Sequence, residues 1–413
     1  MADHYFQHTF ENGLTLLLEK MPGVHSAAMT FLLPAGVASD PAGQTGCSTV
    51  LSDLVLRGAG GRDSRQLTDY LDYLGLQRSS TVGVHHTRFG CAALARRVIE
   101  ALPAYADIVR RPHLPQEGFI AARDLAVQAL ASVEDEPRQK VMIKLREQHF
   151  PYPLGRNTMG TAQELAALSL ADCQAEHARR YSSRQAILAM AGDLDFEPCL
   201  QAVGQCFGDW QGPADQLAAT RPGPGSICHQ EHASEQMHIG LAYPCIQETD
   251  PDYYVMRLAM EVLSGGMSGR LFTEVREKRA LVYNVWAGYT SLLGIGAILG
   301  YAGTSNDRAQ ATLDTFIAEL YRLGRGVTAE ELARAKTGLK AATIMQGESS
   351  SARSGAIAHD YFMRGRIRTL DEIKSAIDSV TVEQVNAWLT ANPPGPFTIV
   401  TVGPQALSTP ENR

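Results

Sequence analysis

Gly46-Cys-Ser-Thr-Val-Leu-Ser-Asp-Leu-Val-Leu-Arg57-Gly58 reads as a helix bracketed by two glycines, and three polar positions inside it decide how the chain is understood. Thr49, Ser52 and Asp53 stand at i, i+3 and i+4, so they project from one helical face. Around that helix the chain falls into two halves of one plan. A stretch rich in Pro and Gly and without apolar periodicity follows Trp210, which places a linker at 212–227 between a domain at 1–211 and another at 228–413. On either side the same signals recur in the same order, as an internal duplication would leave them. An apolar strand ending in proline, Met29–Pro34, has a counterpart in Ile239–Pro244. A closing strand ending in glycine, Ile187–Gly192, has one in Thr398–Gly403. That proline and glycine are 158 positions apart in the first half and 159 in the second.

Between these strands, apolar residues near i, i+3, i+4 and i+7 predict helices at Ser64–Leu74, Ala95–Arg110, Phe119–Val133, Tyr254–Leu263, Arg308–Leu323 and Ala329–Gln346. Strands bunched at the ends of each half with helices between them predict an α+β fold. Each of the two similar halves is expected to be a mainly antiparallel sheet packed with helices.

The 413 residues suffice for two domains with real cores, and a composition of 45% hydrophobic and 20% charged residues suits a globular protein. A net charge of -7 provides no basic footprint, which argues against nucleic acid as a partner. The seven cysteines are odd in number, scattered and without a C-x-x-C pair, the pattern of free thiols in a reducing compartment. No apolar run approaches the roughly 18 residues of a membrane helix. The stretch Met1–His8 has no basic region leading into an apolar core. The expectation is a cytoplasmic protein with no membrane partner.

In the second half, Leu263-Ser-Gly-Gly-Met-Ser-Gly-Arg270-Leu-Phe-Thr-Glu-Val-Arg276-Glu-Lys-Arg-Ala-Leu-Val-Tyr283-Asn-Val runs from a Gly-rich turn through a helix to a second turn. It is no phosphate loop, since neither G-x-x-x-x-G-K-(S/T) nor G-x-G-x-x-G after a strand is present. Gly265 and Gly266 would let backbone approach a partner or peptide closely. Arg276 keeps its proton at any working pH and Tyr283 is a neutral donor, so together they suit a place where negative charge develops. Spacing alone leaves another reading open, with Arg276 paired to Glu277, Glu274 or Glu261 and Tyr283 a core aromatic with a wet hydroxyl.

On these two stretches the chain resembles the insulinase/pitrilysin family of zinc metallopeptidases, over nearly its whole length from about Phe6 to Val402. In that family the first helix reads G-x-x-H-x-x-E-H-x-x-x-x-G, so Thr49, Ser52 and Asp53 occupy the positions of His, Glu and His. A third ligand, a glutamate, lies on a later helix before an E-D-x-P stretch; matching at Pro137 places Ala129 there. A catalytic zinc needs three protein ligands and an open position. Only Asp53 is a good donor, and Ser52 cannot act as a base at neutral pH as glutamate does. The second family signature, S-R-L-F-x-x-(L/V)-R-E followed by L-x-Y, is kept, with Ser268-Gly269-Arg270 in place of S-S-R. It implies that Arg276 and Tyr283 lie across a cleft from zinc and hydrogen-bond the substrate carbonyl as it becomes an oxyanion, with Gly265, Gly266 and Arg270 beside the substrate. Further matches are Pro153-Leu-Gly155 before Gly160-Thr161, Tyr181 with Gly192-Asp193, and Asp252-Tyr-Tyr254.

The resemblance thus implies the zinc-free subunit of a two-chain peptidase, with no cofactor in this chain. Zinc is expected in a paralogous partner subunit that completes a heterodimer, with unfolded peptide as substrate. The alternative is a non-catalytic member, structural like the similar core subunits of respiratory complexes, or binding peptide without cutting it. Three other stretches invite a metal reading. Cys173-Gln-Ala-Glu176-His177 is read as a helix surface with a buried Cys, and His229, Glu231 and His232 as a solvated strand start. His85-His86 is placed in a strand, where neighbours point to opposite faces and cannot chelate one ion together.

Overall fold

The computed structural model describes residues 4–214, 220–225 and 227–409, so positions 215–219 and 226 of the expected linker lie outside the described residues. In chain order the strands are β1 (Tyr5–Thr9), β2 (Thr15–Lys20), β3 (Ser26–Leu33), β4 (Gly58–Ala59), β5 (Arg62–Asp63), β6 (Gln77–Val82), β7 (Thr87–Leu94), β8 (Ile187–Gly192), β9 (Ile227–Glu231), β10 (Gln236–Cys245), β11 (Val282–Leu292), β12 (Ile295–Ser305) and β13 (Thr398–Gly403). The helices are α1 (Cys47–Leu54), α2 (Ser64–Tyr73), α3 (Ala95–Arg110), α4 (Gln116–Ser132), α5 (Pro137–His149), α6 (Ala162–Ala167), α7 (Leu170–Arg180), α8 (Phe196–Phe207), α9 (Tyr253–Ser264), α10 (Ala309–Leu323), α11 (Ala329–Gly347), α12 (Ser350–Arg364), α13 (Leu370–Ser379) and α14 (Val382–Ala391). Capping boxes fix several starts: Asp63 with Gln66 opens α2, Thr369 with Glu372 opens α13, and Thr381 with Gln384 opens α14.

The fold is α+β, built twice. One sheet has the order β1-β2-β8-β3-β7-β6 and the other β11-β12-β10-β13-β9. Read from the β6 and β11 edges they share one order, in which β6, β7, β3, β8 and β2 correspond to β11, β12, β10, β13 and β9. The strands that match in sequence, β3 with β10 and β8 with β13, therefore hold equivalent places. Both sheets are antiparallel except for one parallel pair each, β2 with β8 and β9 with β13. Each sheet covers its own core, one including Leu16, Phe31, Val50 and Phe207, the other Ile239, Leu258, Phe316 and Trp388.

Two stretches cross the division expected at 212–227. Val133–Gly155, with α5, belongs to the second unit, and Gln346–Ile367, with α12, belongs to the first. Helix α5 packs on β10 and β13, where bare Gly240 makes room: a Cβ there would stand 3.3 Å from Val141 and 3.4 Å from Leu145. Helix α12 lies on β3 and β8 through Ile357 and Ala358, and through polar contacts. Ser354 Oγ is 3.0 Å from Thr30 Oγ1, and Arg353 Nε donates to both Glu19 carboxylate oxygens at 3.0 and 2.8 Å. A face that buries Ser350, Arg353 and Ser354 ahead of Ile357 and Ala358 carries no continuous apolar stripe, so periodicity gives little warning of where such a helix docks. His85 and His86 sit in the turn between β6 and β7 rather than within a strand, with their rings against Phe362 of α12. Burial of the His86 ring pushes its pKa down to about 3.

Candidate active site

Helix α1 starts at Gly46, whose φ of +90° suits only glycine; a Cβ there would lie 2.8 Å from Leu165 Cδ2 and 2.9 Å from the Met159 carbonyl. Its first turn is capped from outside. Asp40 accepts from Gly46 N–H at 2.9 Å and from Ser48 Oγ at 2.5 Å, and is itself held by the fully buried Arg180 at 2.9 Å. The positions matching the family's ligands are engaged internally. Thr49 Oγ1 donates to the Thr158 carbonyl at 2.5 Å, Ser52 Oγ donates to the Thr49 carbonyl at 2.9 Å, and Asp53 pairs with Arg57 one turn along at 2.6 Å. Ala129 is exposed on α4, the helix that packs beside α1.

Zinc does not fit this donor set. One carboxylate already matched by a guanidinium, two hydroxyls that donate elsewhere and a methyl cannot form a three-ligand site. Among the described residues no group of three or more His, Cys, Asp and Glu is placed to hold a metal ion. The other candidates have structural partners. Cys173 is buried 3.9 Å from Cys47, Glu176 pairs with Arg180 at 2.7 Å, and His177 Nε2 lies 3.0 Å from the Val109 carbonyl. His229 lies in β9 with Nδ1 2.8 Å from Thr401 Oγ1.

The second signature is built differently. Helix α9 ends at Ser264, whose hydroxyl accepts the Ala287 N–H of β11 at 3.0 Å. The exposed glycine turn follows. Gly265 N–H closes onto the Glu261 carbonyl at 2.7 Å, and Gly266 takes φ +102° with open space where a side chain would be. Arg270, expected beside the substrate, is engaged within the protein. Its guanidinium makes a bidentate pair with Glu331 at 2.7 and 2.8 Å and donates to the Gly326 carbonyl at 2.9 Å, so it fastens this loop to the start of α11. The Arg270 hydrogen bonds hold the Glu331 carboxyl down to about 2.

Phe272–Glu277 is not an ordinary α-helix but a π-helical turn, in which the Lys278 N–H reaches the Thr273 carbonyl five residues back at 3.0 Å. Arg276 is exposed on this turn, its guanidinium 4.9 Å from the centre of the Phe272 ring and without a carboxylate partner among the described residues. The carboxylates that could have paired with it do not. Glu274 is taken by Lys278, Arg279 and Arg322 at 2.8, 3.0 and 3.3 Å. Those contacts, led by the Lys278 hydrogen bond, hold the Glu274 carboxyl down to about 2.

Tyr283 is no core aromatic; it is 66% exposed. It stands at the start of β11, an edge strand, where Val282 faces Thr304 and Asn284 faces Gly303. Tyr283 is therefore the extra residue of a β-bulge, the irregularity that re-aims a side chain. Between Arg276 and Tyr283 the chain turns through Ala280 at φ +50°. Both retained residues thus sit on local departures from regular structure, exposed and free to donate, a combination that concentrates at functional sites. Neither the π-turn nor the bulge has a signature in the residue pattern.

Comparison with known proteins bears on the family and the fold. Residues 15–162 match the family described as Insulinase (Peptidase family M16), and residues 167–339 match Peptidase M16 inactive domain. The chain belongs to the M16 peptidase family. Curated relatives of this M16 chain include an uncharacterized zinc protease of Mycobacterium bovis, 26% identical over 92% of this chain and 88% of the relative. Another, of Bacillus subtilis, is 23% identical over 92% and 93%. Among solved structures, the M16 inactive domain from Pseudomonas fluorescens has a TM-score of 0.87 at 22% identity, covering 98% of this chain and 100% of that one. A protease from Helicobacter pylori also reaches 0.87, at 18% identity and 96% and 99% coverage. These likenesses show the fold. Among the described residues no helix is long and apolar enough to cross a membrane.

Proposed function

We propose that this chain is the zinc-free subunit of a heterodimeric M16 peptidase. A paralogous partner supplies the zinc and its water, and this chain supplies two hydrogen-bond donors to an unfolded peptide in the cytoplasm. The observation that carries the reading is an asymmetry. The ligand positions Thr49, Ser52 and Asp53 are engaged by protein partners, whereas Arg276, stacked on Phe272, and Tyr283 are exposed, with no carboxylate partner for Arg276 among the described residues. A chain that had lost both roles would have no reason to keep a π-turn and a bulge at these two residues.

In this reading the guanidinium and the phenol donate to the scissile carbonyl oxygen as it gains negative charge. The contribution is electrostatic: donors already in place need not reorganise in the transition state, and each is worth roughly 3–4 kcal/mol of barrier. Gly266 leaves open space beside α9, and the open edge of β11 offers unpaired backbone groups to an extended peptide.

The test mixes this chain with a paralogue carrying an intact H-x-x-E-H helix and follows a quenched peptide. Turnover is expected from the mixture and from neither chain alone. No turnover with any such partner would favour the structural or peptide-binding alternative.

A further inference from the structure

We propose that Glu274 is a positioning residue for Arg276, its carboxylate locking the π-helical register that aims the guanidinium outward. The inference rests on the reading of Arg276 as an oxyanion donor. The Arg276 guanidinium stacks on the Phe272 ring of the same turn and has no carboxylate partner among the described residues, so the backbone that carries it sets its direction. That backbone is an uncommon one, since a π-turn holds one residue more than an α-turn. Slipping back to α-register would rotate everything after it by about 100° around the axis. Something must hold the wider turn, and Glu274 has the geometry to do so.

The carboxylate is nearly buried, with 12% of the side chain exposed. It reaches Lys278 four residues along at 2.8 Å and Arg279 five along at 3.0 Å, while Arg279 Nη1 also donates to the Glu274 carbonyl at 2.8 Å. In an α-helix the fifth residue is turned about 140° from the first, out of reach of a carboxylate already holding the fourth. A π-turn brings both to one side. The third partner, Arg322, comes from α10 at 3.3 Å and is itself oriented by Glu319 at 2.7 Å, which ties the turn to a neighbouring helix. The same contacts explain why Arg276 is left uncompensated. Oε1 of Glu274 is engaged by Lys278 and Arg322 and Oε2 by Arg279, so its charge is already matched by three other cations.

The experiment uses this chain reconstituted with a zinc-bearing paralogue and compares Glu274→Gln, Arg276→Ala and the double variant. Glu274→Gln should lower kcat by about tenfold or more with KM changed less than about twofold, since misaiming a transition-state donor leaves ground-state binding intact. The double variant should be no slower than Arg276→Ala alone. In the free chain, amide hydrogen exchange should rise across Phe272–Leu281 and not in β3 or β8. Arg279→Gln, at a half-exposed position, should give a smaller kcat loss of the same kind. If Glu274→Gln keeps full kcat while Arg276→Ala does not, the positioning role falls and the oxyanion reading stands. Losses that multiply in the double variant would mark Glu274 as merely structural and also overturn the proposal. If neither variant slows turnover, the oxyanion reading falls and the positioning role with it.

Discussion

Arg353→Met should destabilise the first unit by about 3–5 kcal/mol, the cost of breaking a buried ion pair from one side. The magnitude follows from the site. The Arg353 and Glu19 side chains are 4% and 6% exposed, and Arg353 Nε donates to both carboxylate oxygens. Burial already pushes the Glu19 carboxyl above its ordinary range, with the Arg353 charge opposing, so removing the guanidinium leaves an uncompensated buried carboxylate. For a group whose folded pKa is raised, the penalty is absent below the unfolded value of 4.5 and grows as pH rises through the folded value. The variant should therefore lose more stability at pH 8 than at pH 4.5. For a unit of this size the loss corresponds to roughly 6–20 °C in Tm. Hydrogen exchange in β2, β3 and α12 across urea would localise it. Adding Glu19→Leu should recover most of the loss, because an apolar pair of similar volume is close to neutral at such sites. A single-variant cost under about 1 kcal/mol, or a double variant no better than the single, would refute this account of how α12 is held.

Three further outcomes are expected. Gly46→Ala should cost about 1–3 kcal/mol, because φ +90° is strained for any side chain and the added methyl meets Met159 and Leu165; chemical denaturation near wild-type values would contradict it. Glu274 and Glu331 have folded pKa values held down to about 2, so the stability they lend is complete above 4.5 and is lost as pH falls toward 2. Neutralising both as Gln should flatten acid unfolding of the second unit in that window, and an unchanged acid profile would count against these pairs. Finally, chelation should leave Tm unchanged to within about 1 °C and elemental analysis should find zinc well below one equivalent, because a site that bound it would couple metal to folding. Stoichiometric zinc surviving a chelator would overturn the donor analysis of α1.

Much of the fold was legible because it rests on periodicity. The spans of α3 and α11, and of β8 and β13, follow from apolar spacing, and the paired strands mark the duplication that the two sheet orders display. The exchange of α5 and α12 was not legible, since Arg353 and Ser354 bury polar groups that a hydrophobic pattern scores as surface. At the site, residue types disclosed that Thr49 and Ser52 are poor ligands and that Asp53 alone cannot make a three-ligand site. They could not disclose that Arg270 would be spent on Glu331, because a partner 61 positions away leaves no local trace. Nor could spacing choose between a paired and a free Arg276. The structure shows Glu274 engaged by three other cations instead.

The most direct measurement is kcat of this chain, paired with a zinc-bearing paralogue, when Arg276→Ala or Tyr283→Phe is introduced. Each should lower kcat by about 10²–10³-fold, the loss of one preorganised oxyanion donor, without altering assembly of the pair. Turnover equal to wild type in both variants would contradict the claim that this chain supplies the donors.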